Sequence, residues 1–397
     1  MLCAGEHKIK KALMKRKNDT LIYICIILIT VLLFAMLSVY ASATSKSTKS
    51  NIFTKNISAK AATLYEPTSK KVIYSKNGEE RLPMASTTKI MTAMVVVDNC
   101  NTMETVIIGP ESVGVEGSSA YLSEGDEYTV LELLYALMLQ SANDAATALA
   151  YYVAGGISEF SEMMNRKAND LGLENTHFTN PHGLDAEDHY TTSNDLAIMS
   201  AELLENEILR EIVSTYKKTF TYDERTRTYI NHNKLLRLYA DAAGVKTGFT
   251  KRSGRCLVGA AERDGMTFIS VTLDAPSDWS DHTALLDFAF DSYEKIQLTA
   301  KGDYLQNINV VGGDKESVYI SAKENLEVIK EKETTDIEEI ISLPKYLIAP
   351  IKEGETVGRV TYKVGGRDYT VDLVALNEVN RKGENNIFLR ILKKISK

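Results

Sequence analysis

Ser86-Thr87-Thr88-Lys89 runs directly into Ile90-Met91-Thr92-Ala93-Met94-Val95-Val96-Val97. The second half of that stretch is apolar at nearly every position, which predicts a helix buried all round. Upstream, 61–66 and 72–76 are short strands separated by Pro67-Thr68-Ser69, a hairpin. Downstream, 130–213 is mostly helical, with segments at 131–140, 144–153 and 159–171. Strand patterns return after Lys246, at 256–261 and 266–273, divided by the turn Glu262-Arg263-Asp264-Gly265; a last helix comes at 282–293. Hairpin-linked strands on both sides of a helical insert give an α+β class. The expected architecture is an antiparallel sheet flanked by helices, with a helical subdomain. From about Lys301 the style changes to alternating Val, Ile and Tyr, as at 318–320 and 369–373, with glycine pairs at 312–313 and 365–366. That part reads as a small all-β domain.

Ser86 and Lys89 carry chemistry only in company. The same Ser-x-x-Lys spacing recurs at Ser214 and Lys217, Ser292 and Lys295, and Ser342 and Lys345, so chance produces it freely. Ser-x-Asn occurs at Ser75 and Asn77 and again at Ser141 and Asn143; Lys246-Thr247-Gly248 occurs once. One combination orders all three, with 55 residues from Ser86 to Ser141 and 105 from Ser141 to Lys246. A serine hydroxyl attacks a carbonyl only when a base removes its proton. If Ser86 begins a helix, Lys89 lies one turn along the same face, where the helix N-terminus and burial both disfavour a cation. Ser141 and Asn143 fall at a junction between helices, placed to relay a proton and to hydrogen-bond a substrate amide. Lys246-Thr247-Gly248 is expected on a sheet edge. There a lysine and a hydroxyl suit a carboxylate, and an extended peptide can bind the backbone. Gly248 admits a close approach, and the backbone N–H groups of Ser86 and Phe249 are the candidate oxyanion hole.

The composition narrows the partners. A chain of 397 residues accommodates two domains. The net charge of −7, with no long basic face, argues against nucleic-acid binding. Of the four cysteines, Cys3 and Cys25 lie at or before the N-terminal apolar segment, while Cys100 and Cys256 read as small buried residues. His177, His182 and His189 cluster without His-Glu-x-x-His or a carboxylate at ligand spacing, so a loop role is expected and no metal or cofactor. Lys8, Lys10, Lys11, Lys15, Arg16 and Lys17 precede an uncharged run over 21–41, and Ala41-Ser42-Ala43 resembles a cleavage site. Removal as a signal peptide and retention as an anchor both fit, and either one exports the chain beyond Ala43. At the other end, Ile387, Phe388, Ile391, Leu392 and Ile395 alternate with Arg390, Lys393, Lys394 and Lys397. The pattern suits a basic amphipathic helix on an anionic membrane surface; the alternative is a solvated tail.

The ordered set Ser-x-x-Lys, Ser-x-Asn, Lys-Thr-Gly is shared by class A β-lactamases and penicillin-binding proteins. The chain resembles the low-molecular-mass penicillin-binding proteins that are D-alanyl-D-alanine carboxypeptidases. The likeness extends to Gly117-Ser118-Ser119-Ala120, to Thr176-His177-Phe178-Thr179-Asn180-Pro181-His182-Gly183-Leu184, and to Asn231-His232-Asn233-Lys234-Leu235-Leu236. The resemblance implies a β-lactamase/transpeptidase-like fold. It makes Ser86 the acyl-ester nucleophile, Lys89 the proton acceptor, Ser141 the proton relay, and Asn143, Lys246, Thr247, Gly248 and Phe249 substrate-binding. Phe249 departs from the histidine expected there in many members. The implied substrate is a peptidoglycan stem peptide ending in D-Ala-D-Ala, with β-lactams as acylating mimics and the outer face of the bacterial cytoplasmic membrane as location. Alternatives are a β-lactamase, disfavoured because 176–184 contains no Glu or Asp, and a catalytically inactive cell-wall binding protein. The balance of water against amine acceptor is not written in these motifs. The expected organisation is 1–43 signal or anchor, 44–58 linker, 59–298 serine peptidase domain, 300–378 β domain and 381–397 membrane-associating tail.

Overall fold

The computed structural model describes residues 53–383, apart from 223–224. The apolar run at 21–41, its cleavage site and the amphipathic pattern at 387–397 lie outside the described residues. Among those described, no helix is long and apolar enough to cross a membrane.

Five antiparallel strands form the central sheet: β1 (Ala61–Glu66), β2 (Lys71–Lys76), β3 (Ala242–Thr250), β4 (Gly254–Arg263) and β5 (Met266–Leu273). Their order is β2-β1-β5-β4-β3, which leaves β3 on an edge. Alternate side chains point to opposite faces of a strand. Ala61, Tyr65, Val258, Ile269 and Val271 accordingly join the core under the helical side. Ala62, Leu64, Leu257 and Phe268 join a second core on the other face. Six helices cover the first face: α1 (Lys89–Asn99), α2 (Val130–Leu139), α3 (Asn143–Ala154), α4 (Ile157–Asp170), α5 (Ser193–Glu205) and α6 (Glu207–Ser214). On the second face α7 (Asp278–Ser292) packs Leu285, Leu286, Ala289 and Phe290, and the short helix Leu235–Leu238 adds Leu235. The first eight residues of α1 are all buried, as its unbroken apolar run requires. His282 fastens α7 to the sheet, its two ring nitrogens bonded to Ser270 Oγ at 2.7 Å and Thr272 Oγ1 at 2.9 Å.

Beyond α7 the described chain holds strands and no helix. Tyr293–Thr299 pairs with Leu326–Glu331, and six more strands make a mostly antiparallel sheet around Val318, Ile320, Val360, Val371 and Leu373. Gly365 and Gly366 both have positive φ (57° and 78°), as a two-residue hairpin loop between Thr356–Val364 and Arg367–Ala375 demands. This part touches the first sheet's hairpin: Arg367 Nη1 donates to Ser69 O at 2.6 Å, and Lys71 pairs with Glu331 at 3.0 Å.

Two local expectations need amending. Ser86 does not begin the α-helix; it sits in a 3-10 turn, Ala85–Thr88, and α1 starts at Lys89. A hairpin of Lys217–Tyr222 and Arg225–Ile230 stands where no strand was expected.

Candidate active site

The turn that carries Ser86 is held in a costly shape. Ala85 has φ 49°, a left-handed conformation in which a residue with a Cβ is strained by about 1–3 kcal/mol. Its surroundings over-determine it. Thr87 Oγ1 donates to Met84 O at 2.7 Å, and Thr88 Oγ1 donates to Ala85 O at 2.8 Å. His189 steadies Thr88 in turn. Its Nδ1 accepts the Thr179 N–H at 3.1 Å, so Nε2 carries the proton and donates to Thr88 Oγ1 at 2.8 Å. Burial pushes the His189 pKa down to about 4, keeping the ring neutral in that tautomer. Gly183 closes the underside: a Cβ there would lie 2.0 Å from Ala85 O.

Lys89, on the first turn of α1, is fully buried. Its Nζ lies 3.1 Å from Ser86 Oγ, 2.7 Å from Asn143 Oδ1 and 2.5 Å from the His182 carbonyl. Burial pushes its pKa well below the ordinary lysine value, the charge of Lys246 acts in the same sense, and Asp144 opposes. A neutral amine has two N–H bonds and one lone pair. The two carbonyl oxygens can only accept, so they take the N–H bonds and the lone pair is left for the Ser86 hydroxyl. That is the arrangement of a base on its nucleophile.

Asn143 opens α3 and joins the second motif to the first. Its Oδ1 serves Lys89, while Nδ2 donates to Glu116 O at 2.6 Å and its N–H to Ser118 O at 2.7 Å. Asn143 is expected to bond a substrate amide; what its side chain holds in the structure is the lysine. Asp144, buried beside it, accepts from Ser119 Oγ, Ala120 N and Leu122 N and clamps the 116–122 loop onto α3. Ser141 has φ 60° and a buried Oγ with no hydrogen-bond partner among the described residues. The His232 N–H donates to Leu139 O, just before that bend.

The third motif lies on β3, whose outer edge pairs with no strand among the described residues. Lys246 is buried, with Nζ on Thr247 O at 3.0 Å, and burial pushes its pKa down to about 7. Gly248 touches the nucleophile's turn: a Cβ there would lie 3.0 Å from Ser86 N and 3.1 Å from Met84 O. Any other residue would push the strand away from the Ser86 N–H. Phe249 comes next, two-thirds exposed. The structure therefore brings Ser86, Lys89 and Asn143 into direct contact, and Gly248 against Ser86. The His182 carbonyl, Asp144 and the His189–Thr88 pair were not foreseen as parts of the site. The first two lay in the 176–184 stretch and in the residue after Asn143, but a carbonyl leaves no mark in a side-chain pattern.

Residues 44–277 match the sequence profile of a family described as D-alanyl-D-alanine carboxypeptidase. The chain belongs to this family. Residues 293–381 match a second profile, the C-terminal domain of penicillin-binding protein 5. Among curated relatives, the carboxypeptidase DacF of Bacillus subtilis is 32% identical over 343 residues, 84% of this chain and 88% of DacF. DacC of Escherichia coli is 33% identical over 331 residues, 79% of this chain and 82% of DacC. Penicillin-binding protein 5 from Haemophilus influenzae superimposes with a TM-score of 0.66 at 29% identity, covering 83% of this chain and all of that one. PBP3 from Streptococcus pneumoniae gives 0.70 at 25% identity over 82% of this chain and all of that one. The carboxypeptidase fold, an α+β peptidase unit followed by an all-β part, is thus the fold of this chain.

Proposed function

We propose that this carboxypeptidase removes the terminal D-Ala from peptidoglycan stem peptides through an ester on Ser86. The Lys89 lone pair takes the Ser86 proton as Oγ bonds to the penultimate carbonyl carbon. The resulting oxyanion receives the N–H groups of Ser86 and Phe249. The C–N bond then breaks, and D-Ala leaves with a proton passed from Lys89, Ser141 serving as relay. Water then gives a proton to Lys89 as its oxygen bonds to the ester carbon, and the C–O bond to Ser86 breaks with Oγ taking that proton back from Lys89. Lys246 and Thr247 take the terminal carboxylate, while the peptide extends along the free edge of β3. β-Lactams enter the same position and acylate Ser86.

The observation that carries this reading is the Lys89 Nζ, 3.1 Å from Ser86 Oγ with its N–H bonds spent on two carbonyl oxygens. The 176–184 segment holds no Glu or Asp to activate a deacylating water and turns a backbone carbonyl to Lys89 instead, which favours the carboxypeptidase over a β-lactamase. Export to the outer face of the bacterial cytoplasmic membrane is part of the proposal. It is supported by the basic flank and apolar run at 8–41 and by the basic amphipathic pattern at 387–397. Incubating the protein with a stem pentapeptide and weighing the products tests the activity. Loss of one alanine is expected, whereas a cross-linked product would make it a transpeptidase and an unchanged peptide would sink the reading.

A further inference from the structure

Seven non-glycine residues among those described have positive φ. Lys70 and Asp264 lie in hairpin turns, and Asn77 and Asp274 lie just past strand ends; all four are polar. Ala85 and Ser141 belong to the motifs that surround Lys89. The seventh is Tyr121, at φ 59°. A bulky side chain in this region is an outlier that glycine would relieve, so the local structure must hold it there.

What holds it is the buried Asp144. Its carboxylate accepts from Ala120 N at 3.0 Å, Leu122 N at 3.2 Å and Ser119 Oγ at 2.6 Å, and Ser119 Oγ accepts from Tyr121 N at 2.8 Å. The same loop gives Asn143 two backbone carbonyls, and Asn143 holds Lys89. Leu122 goes into the core, but Tyr121 is 88% exposed, and its ring has no hydrogen bond, ion pair or ring contact among the described residues. It is a large apolar face presented on a loop rigidly tied to the reacting pair.

We infer that Tyr121 is a specificity-determining residue whose ring packs on the stem peptide upstream of its D-Ala-D-Ala end. The inference rests on the carboxypeptidase reading. The loop bonds Asn143 and Asp144 rather than the β3 edge, so it serves the acyl side of the scissile bond. The terminal carboxylate belongs to Lys246 and Thr247. Phe249, exposed beside Gly248, supplies the other aromatic rim. Burying an exposed aromatic face is worth about a tenfold change in affinity or more.

The test compares D-Ala release by the full chain from a stem pentapeptide and from a short N-acyl-D-Ala-D-Ala. Tyr121→Gly removes the ring and suits the positive φ, so its thermal midpoint should not fall. It should raise KM for the pentapeptide about tenfold, change kcat less than twofold, and leave the short substrate and the rate of penicillin acylation within twofold. Tyr121→Phe should behave as wild type. Equal losses on both substrates, or no loss on either, would overturn the inference. A wild-type chain that releases no D-Ala from either would instead sink the carboxypeptidase reading, and this one with it.

Discussion

The two walls of the cleft each bury a lysine, and they use it in opposite ways. On the helix wall, Lys89 has three partners within 3.1 Å, two of them carbonyl oxygens. On the sheet wall, Lys246 has only the Thr247 carbonyl among the described residues, so its ammonium form keeps two N–H bonds unspent. Both sites depress lysine basicity by burial, but Lys89 further feels the charge of Lys246. A saturated, strongly depressed amine is suited to accept a proton. An unsaturated one that titrates near 7 is suited to gain its charge when a carboxylate arrives. On the proposed mechanism, one residue type performs two tasks through the number and kind of its neighbours.

Substitutions can break this contrast at decreasing cost. Ser86→Ala removes the atom that the Lys89 lone pair faces. D-Ala release should fall by at least about 10⁴-fold, and labelled penicillin should no longer mark the protein. Lys89→Arg puts a permanent cation on the helix wall. With Ser86 intact, acylation should still fall by about 10³-fold, measured as the rate of penicillin labelling. Gly248→Ala leaves both lysines in place but forces β3 off the Ser86 N–H. It should lower kcat by about 10–100-fold with only a small change in KM.

The pH dependence separates the walls. Lys89 must be neutral, so activity is lost as pH falls through its lowered pKa. Lys246 must be charged to meet the substrate carboxylate, so kcat/KM for the free enzyme should decline as pH rises through about 7. Lys246→Arg, always protonated, should abolish that alkaline decline while leaving the acid limb in place. An unchanged alkaline limb would assign it to another group.

Much of the helix wall was legible beforehand. The apolar run after Lys89 predicts its own burial, and the ordered motifs point to Ser86, Ser141 and Lys246 across distances of 55 and 105 residues. What was not legible is backbone. The left-handed Ala85, the His182 carbonyl and the Asn143 contact with Glu116 O arise from chain geometry, and no side-chain pattern encodes them. The hairpin at Lys217–Tyr222 and Arg225–Ile230 escaped for another reason. It is rich in Lys, Arg and Thr and buries few side chains, so it lacks the apolar alternation that signals a strand. Ile337–Ser342, exposed at every position on a sheet edge, hides in the same way.

The central claim is that Lys89 is neutral while it touches Ser86. Selective ¹³Cε labelling of lysine, with the Lys89 resonance identified by its loss in Lys89→Arg, reads that protonation state directly by NMR across a pH titration. The account predicts the neutral-amine shift at pH 7, with protonation only on acidification. A Lys89 resonance that keeps the ammonium shift up to pH 10 would contradict it.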